Sequence, residues 1–312
     1  SLSVFENDLN EITRAARHPH RRSAEILCKG GRRVEVTLMG DFTGAPIVTI
    51  ANATNYTFSA DVEQTLHRHG LYIISVCSPG CGKTDRPPGK MSREECLTAD
   101  VKAVLDQLEV NRALMLAYNA NSPVCYRLVN RLPGYFYRLA HVAAPVPVRF
   151  ITRIDTQSSW VNGILKAGTG SPAMKRMLFK GAMKALATLG AEKYLKLQLA
   201  SKPVEADVVF KPENLNEIEY AISVATQGGI ADAAEDIAAT FEDWSGEVDK
   251  LPVDITVVQG VNDSLYTVEN VRDFVNSYSA KISMVEIDNA GFPLLQSCPD
   301  EVIGLLKTVT NR

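Results

Sequence analysis

Histidine is scarce in this chain and confined to its first half. The 312 residues include five histidines, at positions 18, 20, 67, 69 and 141. Imidazole is the side chain that enzymes use most often as a general base at neutral pH. Any catalytic arrangement that needs a histidine downstream of position 141 is therefore excluded.

Long apolar runs, dense cysteine and an excess of one charge are also missing. No run approaches the roughly 18 apolar residues of a membrane helix, and residues 1–10 lack the pattern of a signal peptide. The formal net charge is −3, so any binding to nucleic acid or anionic membranes would have to be local. Six cysteines spread through the chain indicate reduced thiols. We expect a cytoplasmic protein without a membrane partner, metal or cofactor.

Short apolar runs alternating with helical stretches are what the chain does contain. Two runs with β character, 23–28 and 32–39, flank a Gly30-Gly31 turn and predict an antiparallel pair of strands. Further strands, nearly all apolar in the first four cases, are predicted at 46–51, 71–77, 113–117, 139–144, 253–259 and 282–287. Helices are predicted at 58–69, 92–109, 121–132, 267–278 and from about residue 299. This order predicts an α/β fold with a mostly parallel, doubly wound sheet and an antiparallel start.

The same pattern predicts how the chain is divided. Residues 1–22 form an N-terminal helical and basic segment, 23–149 and 251–312 form the core, and the helical stretch 150–250 forms a cap insertion. We expect the basic cluster of the first segment to be solvated, with contact to nucleic acid as the less favoured alternative. This cluster consists of Arg14, Arg17, Arg21 and Arg22. Because position 1 is Ser, the chain is either processed or part of a longer protein.

A segment after the second apolar run comes within one residue of a nucleotide-binding loop. Residues 77–84 end in Gly-Lys-Thr, but position 77 is Cys where the pattern needs Gly. Such a loop must run into a helix whose N-terminal amides hold the phosphates. Pro87 and Pro88 prevent that helix, so no nucleotide site is expected.

The loop at 77–84 and the order of elements from about residue 23 to 312 resemble the α/β-hydrolase superfamily of esterases, carbon–carbon hydrolases, dehalogenases and epoxide hydrolases. The resemblance implies a nucleophile at a sharp turn after the fifth strand, an acid after the seventh and a histidine after the eighth. The turn at residues 117–122, AYNANS, then carries Asn119 at the nucleophile position. Asp263 occupies the acid position, and Phe292 stands where the histidine is expected.

These replacements remove the chemistry that the resemblance implies and leave a binding site. The Asn119 amide cannot be activated by proton removal, and Asp263 has no histidine to orient. Backbone amides of Ala53 and Ala120 still suit a carbonyl or an anion. With Asn55, Asn121 and Asn262 nearby, we expect an amide-rich pocket whose only charge is Asp263. The predicted ligand-binding residues are Asn52, Ala53, Asn119, Ala120, Asp263 and Phe292.

Other reactive or aromatic side chains are expected to have packing roles. Ser122 and Cys125 fall on the helix after the turn, and His141 falls inside a core strand. Cys77 and Cys81 have no imidazole placed beside them to raise their thiolate content. Cap packing, with one or two side chains lining a cavity, is expected of Trp160, Trp244, Met174, Met177 and Met183.

Three functions remain open at this point. The favoured one is a non-catalytic protein that binds a small molecule as a sensor or effector domain. Some bacterial transcription regulators join a DNA-binding helix-turn-helix to such a fold, so DNA would be contacted only through a further N-terminal domain. The alternatives are an active hydrolase or lyase built around Asp263, and a scaffold or dimerisation module whose cavity is filled. A homodimer is a further expectation.

Overall fold

A computed structural model describes residues 12–52, 58–152, 171–227 and 229–310. Its eight-stranded sheet has the order β1-β2-β4-β3-β5-β6-β7-β8. The strands are β1 Arg21–Leu27, β2 Arg33–Gly40, β3 Ala45–Ala51, β4 Leu71–Cys77, β5 Ala113–Tyr118, β6 Phe136–Val142, β7 Ile255–Gly260 and β8 Ile282–Ile287. Strand β2 is antiparallel to both β1 and β4, and all other pairs are parallel. The predicted fold class is confirmed.

Helices connect the parallel strands and separate β6 from β7. They are α1 Ala60–Arg68, α2 Arg93–Gln107, α3 Ser122–Arg131, α4 Pro172–Leu189, α5 Ala191–Gln198, α6 Pro203–Val209, α7 Pro212–Thr226, α8 Ala231–Ala239, α9 Ser245–Lys250, α10 Val268–Ser277, α11 Leu294–Ser297 and α12 Pro299–Thr310. Helices α4 to α9 lie between β6 and β7 in the chain and are called the cap helices below. The limits of the three segments predicted from the sequence stay predictions.

Apolar contacts cover both faces of the sheet. On one face, Leu97 and Val101 of α2 belong to the same buried cluster as Phe274 of α10. On the other face, Leu66 of α1 and Ile303 of α12 belong to a second cluster. This arrangement explains why β4 and β5 are buried along their whole length.

The position of β6 differs from the sequence prediction. The strand begins at Phe136 rather than at 139, because Tyr137 and Arg138 join it although they interrupt the apolar pattern; Arg138 pairs with Leu114 of β5. It ends at Val142 because Ala143 has a left-handed φ of 44°. Because Arg138 is polar and only half-buried, a search for apolar runs places the start of this strand too late.

The N-terminal segment is bound to the cap and the core through an ion cluster. Arg21 Nε lies 2.6 Å from Glu63 Oε2 of α1, and its Nη2 lies 3.2 Å from Glu217 Oε2 of α7. His18 bridges the same two carboxylates, with 2.7 Å from Nδ1 to Glu63 Oε1 and 3.1 Å from Nε2 to Glu217 Oε1. Burial alone would lower the pKa of His18, but these hydrogen bonds outweigh it and the pKa is raised.

The expectation of a solvated basic segment is therefore wrong for two of its four arginines. The Arg21 side chain is only 6% exposed, and the Arg14 guanidinium lies 3.6 Å from the centre of the Tyr220 ring. Arg17 and Arg22 are exposed as expected. The partners of Arg14 and Arg21 are far away in sequence, so a charge pattern within residues 14–22 could not identify them.

Candidate functional site

The turn between β5 and α3 has the geometry of a nucleophile elbow. Asn119 follows the last residue of β5 and has a left-handed φ of 51°, a conformation that Asn tolerates better than most residues. A short 3-10 turn over Asn119–Asn121 leads directly into α3 at Ser122. The sequence prediction of a sharp turn with Asn119 at its apex agrees with this geometry.

Two asparagines connect the elbow to the end of β3 and do not line the cavity. The Asn121 carbonyl accepts a hydrogen bond from the Tyr118 backbone N–H at 2.8 Å, and its amide donates to Thr49 Oγ1 and to the Ile50 carbonyl at 3.0 Å each. Asn52 Nδ2 donates to the Ala120 carbonyl at 3.2 Å. Asn121 is fully buried, and the turn tolerates this polar side chain because its polar atoms bond to backbone groups and to Thr49.

A cavity of about 240 Å³ lies between this elbow and the cap helices. Most of its walls are aliphatic or aromatic, and none of its lining residues in the described ranges carries a charged side chain. The lining residues are Asn119, Ala120, Phe179, Ala182, Met183, Leu186, Tyr194, Leu195, Gln198, Leu199, Val209, Asn214, Ile218, Ala221, Ile222, Ile237, Thr240, Phe241, Ser264, Leu265, Tyr266, Phe292, Pro293 and Gln296. The expected amide-rich pocket is wrong, because the cap supplies apolar side chains that the sequence could not assign to the cavity.

The predicted ligand-binding residues are divided between the cavity and its surroundings. Asn119, Ala120 and Phe292 line it, and ligand contact by these three stays a prediction. Asn52 and Asp263 are buried outside the cavity wall, with their polar atoms bonded elsewhere. Asn262 is exposed on the surface. Ala53, Asn55 and Trp160 lie outside the described residues.

The expectation of cap packing holds for some of the named side chains only. Met183 lines the cavity, whereas Trp244 is buried in the core cluster of the sheet, with its ring centre 4.9 Å from that of Tyr126 in α3. Met174 and Met177 are instead 45% and 67% exposed. Spacing along a helix did not distinguish them from Met183, because the described part of α4 has apolar residues on both its inner and outer sides.

Asp263 is held in the loop after β7 by three hydrogen bonds. Its Oδ1 accepts the backbone N–H groups of Leu265 and Tyr266 at 2.8 Å each, and its Oδ2 accepts Gln259 Nε2 at 3.1 Å. The pKa of Asp263 is nevertheless well above its usual range, because burial and the nearby Glu205 carboxylate outweigh these donors.

Glu205, a residue of cap helix α6, is the member of the site that sequence reasoning missed. Its Oε2 accepts the backbone N–H of Phe292 at 2.8 Å and that of Ser264 at 3.2 Å. Gly291 makes the approach feasible, because a Cβ there would lie 2.2 Å from Glu205 Cγ. Burial raises the pKa of Glu205 despite the N–H donors. A glutamate within a cap helix carries no local sign of this long-range contact.

The two carboxyl groups form a buried acidic pair beside the cavity wall. Glu205 Oε1 has no hydrogen-bond partner within the described part of the chain. The raised pKa values of both groups favour a proton held on the pair, because two buried anions repel each other. The pair bonds to the backbone of wall residues Ser264 and Phe292, and so it shapes the cavity without lining it.

The remaining candidate nucleophiles are buried away from the cavity. Ser122 is fully buried, and Cys125 Sγ donates to the Leu116 carbonyl at 3.5 Å. Cys77 is buried in a cluster with Cys81, whose pKa is raised to about 12 by burial and by Asp236. Since the thiolate is the reactive form, Cys81 is far from the state of an activated nucleophile.

His141 is a structural residue of β6. Its Nδ1 lies 3.0 Å from the Tyr126 hydroxyl and its Nε2 lies 2.9 Å from the Ala144 carbonyl. Burial lowers its pKa to about 4, so the ring is neutral at physiological pH. The expectation of a hydrogen-bonded core histidine agrees with this geometry.

The loop after β4 contacts β2 and the cap. Thr84 Oγ1 donates to the Cys77 carbonyl at 3.1 Å and accepts the Glu35 N–H at 3.0 Å. The next helix, α2, begins only at Arg93, as the two prolines predict. The phosphates of a nucleotide would therefore find no helix N-terminus directly after Thr84.

Arg93 joins that loop to cap helix α8. Its Nη1 lies 2.6 Å from Asp236 Oδ1, and its Nη2 donates to the Pro79 carbonyl at 3.2 Å. The neighbouring Gly80 has a left-handed φ of 82°, and a Cβ there would lie 2.6 Å from Asp232 Oδ2. This close approach positions α8, which lines the cavity through Ile237.

Comparison with known proteins supports the architecture. No protein-family model and no curated protein sequence matches the chain. Among solved structures, bromoperoxidase from Bacillus anthracis is 15% identical with a TM-score of 0.61, covering 93% of this chain and 100% of its own. A laboratory-evolved potato epoxide hydrolase is 15% identical with a TM-score of 0.66, covering 93% of this chain and 99% of its own. The chain has the α/β-hydrolase fold.

At these identities the likeness to hydrolase-fold enzymes establishes the fold alone. An esterase from Exiguobacterium antarcticum, 16% identical with a TM-score of 0.59 over 93% of this chain and 100% of its own, extends the same likeness. Within the described ranges, no group of three or more His, Cys, Asp or Glu side chains could hold a metal ion. No helix of those ranges is both long and apolar enough to cross a membrane.

Proposed function

We propose that this hydrolase-fold protein is a cytoplasmic, non-catalytic receptor that binds a neutral and largely apolar small molecule as a sensor or effector domain. The observation that carries the proposal is Asn119 at the apex of the elbow, lining a cavity whose described wall residues carry no charged side chain. Binding needs the cavity but not the proton transfers of a hydrolase. The six free cysteines support a reducing compartment.

The geometry supports binding over the other two functions. An amide at position 119 is a poor nucleophile, and no imidazole lines the cavity within the described residues. The carboxyl pair of Glu205 and Asp263 bonds to backbone behind the wall, which disfavours a lyase or hydrolase built on Asp263. A cavity of about 240 Å³ also disfavours a scaffold whose pocket is filled.

We expect the receptor to prefer a neutral ligand over its charged analogue. Octan-1-ol should displace a neutral fluorescent probe, N-phenyl-1-naphthylamine, from the cavity at concentrations at least about tenfold lower than octanoate at pH 7.5. Transfer of an unpaired carboxylate into an apolar cavity is costly, and the described lining residues offer no cation to offset it. Competition titrations measure both affinities.

Two alanines of helix α4 give a matched control. Ala182 lines the cavity, whereas Ala185 on the same helix is exposed. Ala182→Phe should abolish probe binding by filling the cavity, and Ala185→Phe should leave it unchanged. Equal binding by the two variants, or octanoate binding as tightly as octan-1-ol, would contradict the assignment of this cavity.

The absence of catalysis is tested by restoring the two missing groups. The double variant Asn119→Ser with Phe292→His should gain slight hydrolysis of p-nitrophenyl butyrate, while the unmodified protein should show none above background. Each single variant is the control, because either change alone leaves the triad incomplete. Turnover by the unmodified protein that disappears in Asp263→Asn would instead establish the enzymatic alternative.

The effector role requires that binding of a ligand in the cavity changes the structure or stability of another part of the molecule. Cap helix α7 lines the cavity through Ile218, and the adjacent Glu217 bonds to His18 and Arg21 of the N-terminal segment. This connection supports transmission from the ligand to the N-terminal segment, where a DNA-binding domain would be joined. Such a domain is the only route by which we propose contact with DNA.

A further inference from the structure

The outer surface of cap helices α4 and α5 is unusually apolar for an exposed surface. Eight large apolar side chains in the described ranges are strongly exposed, and five of them lie on these two helices or at their junction. They are Met174, Met177, Leu178, Leu189 and Leu197, with 45%, 67%, 37%, 46% and 72% exposure. Together with the basic residues described next, they form what we call the outer cap face. Clustering of this kind marks an interaction site rather than scattered surface residues.

Basic residues alternate with these apolar side chains. Arg176, Lys180, Lys184, Lys193 and Lys196 lie on the same two helices. The one acidic residue of α4 and α5 is Glu192, whose Oε1 lies 2.9 Å from Lys196 Nζ. The outer cap face is therefore strongly positive, although the whole chain has a net charge of −3.

The inner sides of the same helices face the cavity. Phe179 and Met183 of α4 line it, as do Tyr194 and Leu195 of α5. Inner packing fixes the orientation of both helices, so the outward direction of Met177 and Lys184 follows from the helical period. The packing of their inner sides thus keeps the side chains of the outer cap face pointing to solvent in the folded protein.

We propose that the outer cap face docks on the surface of an anionic lipid bilayer. Lysine and arginine residues are attracted to anionic headgroups, and exposed Met and Leu side chains gain free energy by entering the boundary between headgroups and acyl chains. The net charge of −3 disfavours membrane binding only for the chain as a whole, and it does not apply to a local basic surface. A nucleic acid would match the positive charge but not the apolar side chains, and a second copy of the face would repel the first.

Vesicle flotation tests the docking directly. The full protein should float with vesicles of phosphatidylcholine containing about 30% phosphatidylserine at low salt, and should stay unbound with phosphatidylcholine alone. Raising the salt to about 0.5 M should release most of the protein, because the attraction between the lysines and the headgroups is screened. No flotation with anionic vesicles at low salt would overturn the proposal.

Charge reversal locates the docking surface. Lys180→Glu with Lys184→Glu should weaken binding to anionic vesicles about 20-fold or more, since each lysine near the surface contributes about fivefold. The matched control is Lys90→Glu with Lys250→Glu, which reverses two exposed lysines outside the outer cap face. Met177→Ser should weaken binding about threefold at constant charge. Equal losses in the variant and control pairs would overturn the assignment.

Three further measurements distinguish membrane docking from ligand binding, from binding to DNA and from self-association. The Lys180→Glu, Lys184→Glu variant should keep its affinity for octan-1-ol, so membrane docking and ligand binding can fail independently. If duplex DNA binds through the same lysines and Met177→Ser does not weaken that binding, the partner of this face is a nucleic acid and the membrane proposal is wrong. If light scattering shows a dimer that the charge reversal abolishes, the partner of this face is a second copy of the chain and the membrane proposal is wrong.

Discussion

Replacing Arg93 with methionine is expected to lower the free energy of unfolding by about 3 kcal/mol, the usual cost of breaking a largely buried ion pair. The Arg93 and Asp236 side chains are 22% and 11% exposed. Burial already raises the pKa of Asp236, and the Arg93 charge opposes that shift. Without Arg93, the Asp236 carboxyl and the Pro79 carbonyl lose their donor at the contact that positions α8. Urea unfolding followed by circular dichroism measures the difference.

Arg272 provides the control for this loss. It bonds to Glu286 through Nε at 3.1 Å, but the two side chains are 46% and 34% exposed. Arg272→Met should change the free energy of unfolding by less than about 1 kcal/mol, because exposed pairs are screened by water. Adding Asp236→Leu to Arg93→Met should recover most of the stability. A loss in Arg93→Met no larger than in the control would show that this pair does not anchor the cap.

Replacing Glu205 with glutamine is expected to raise the free energy of unfolding by about 2 kcal/mol at pH 8, with little change at pH 4. The pKa values of Glu205 and Asp263 are raised in the folded protein. Stability that depends on their protonation is therefore present below the unfolded pKa values and is lost as the pH rises through the folded ones. Glutamine removes one of the two repelling charges, so the variant should lose less stability as the pH rises.

Glutamine also preserves the contacts of Glu205. Its carbonyl oxygen can accept the Phe292 and Ser264 N–H groups as Oε2 does, and its amide nitrogen takes the place of Oε1, which has no partner in the described residues. Glu213→Gln, an exposed change on the cap, is the control and should match the unmodified protein at every pH. The raised pKa of His18 acts in the same direction in all three proteins, so only the difference between variants is informative. A lower stability of Glu205→Gln at pH 8 would contradict a repelling pair.

The sheet was predictable from the sequence because its strands have local signatures. Strands β4 and β8 have the predicted limits, since β4 is a nearly uniform apolar run and turn residues flank both. The family resemblance assigned Asn119, Asp263 and Phe292 to the loops after the fifth, seventh and eighth strands, and the structure has these residues in the loops after β5, β7 and β8. Their polar environment was not predictable, as Asn52 and Asn121 illustrate by connecting the elbow to the end of β3.

The cavity and the acidic pair could not be predicted from the sequence, because both are formed by contacts between residues far apart in the chain. Glu205 meets Phe292 through a glycine that is 86 residues away, at position 291, and no local pattern signals such a meeting. The outward direction of Met177 and the inward direction of Met183 depend on which side of α4 packs against α8. Tertiary packing decides the direction of each methionine, and the apolar composition of the helix would be the same if the two directions were exchanged.

The ion cluster of the N-terminal segment determines where this protein can be cut. The sequence suggests a boundary near residue 23, where the sheet begins, but His18 and Arg21 satisfy carboxylates on both α1 and α7. Removing residues 12–22 would leave Glu63, which is 1% exposed, beside Glu217 without the His18 and Arg21 side chains that now bridge them. Protein engineering that transfers this domain to another chain should therefore include this segment together with the sheet and cap.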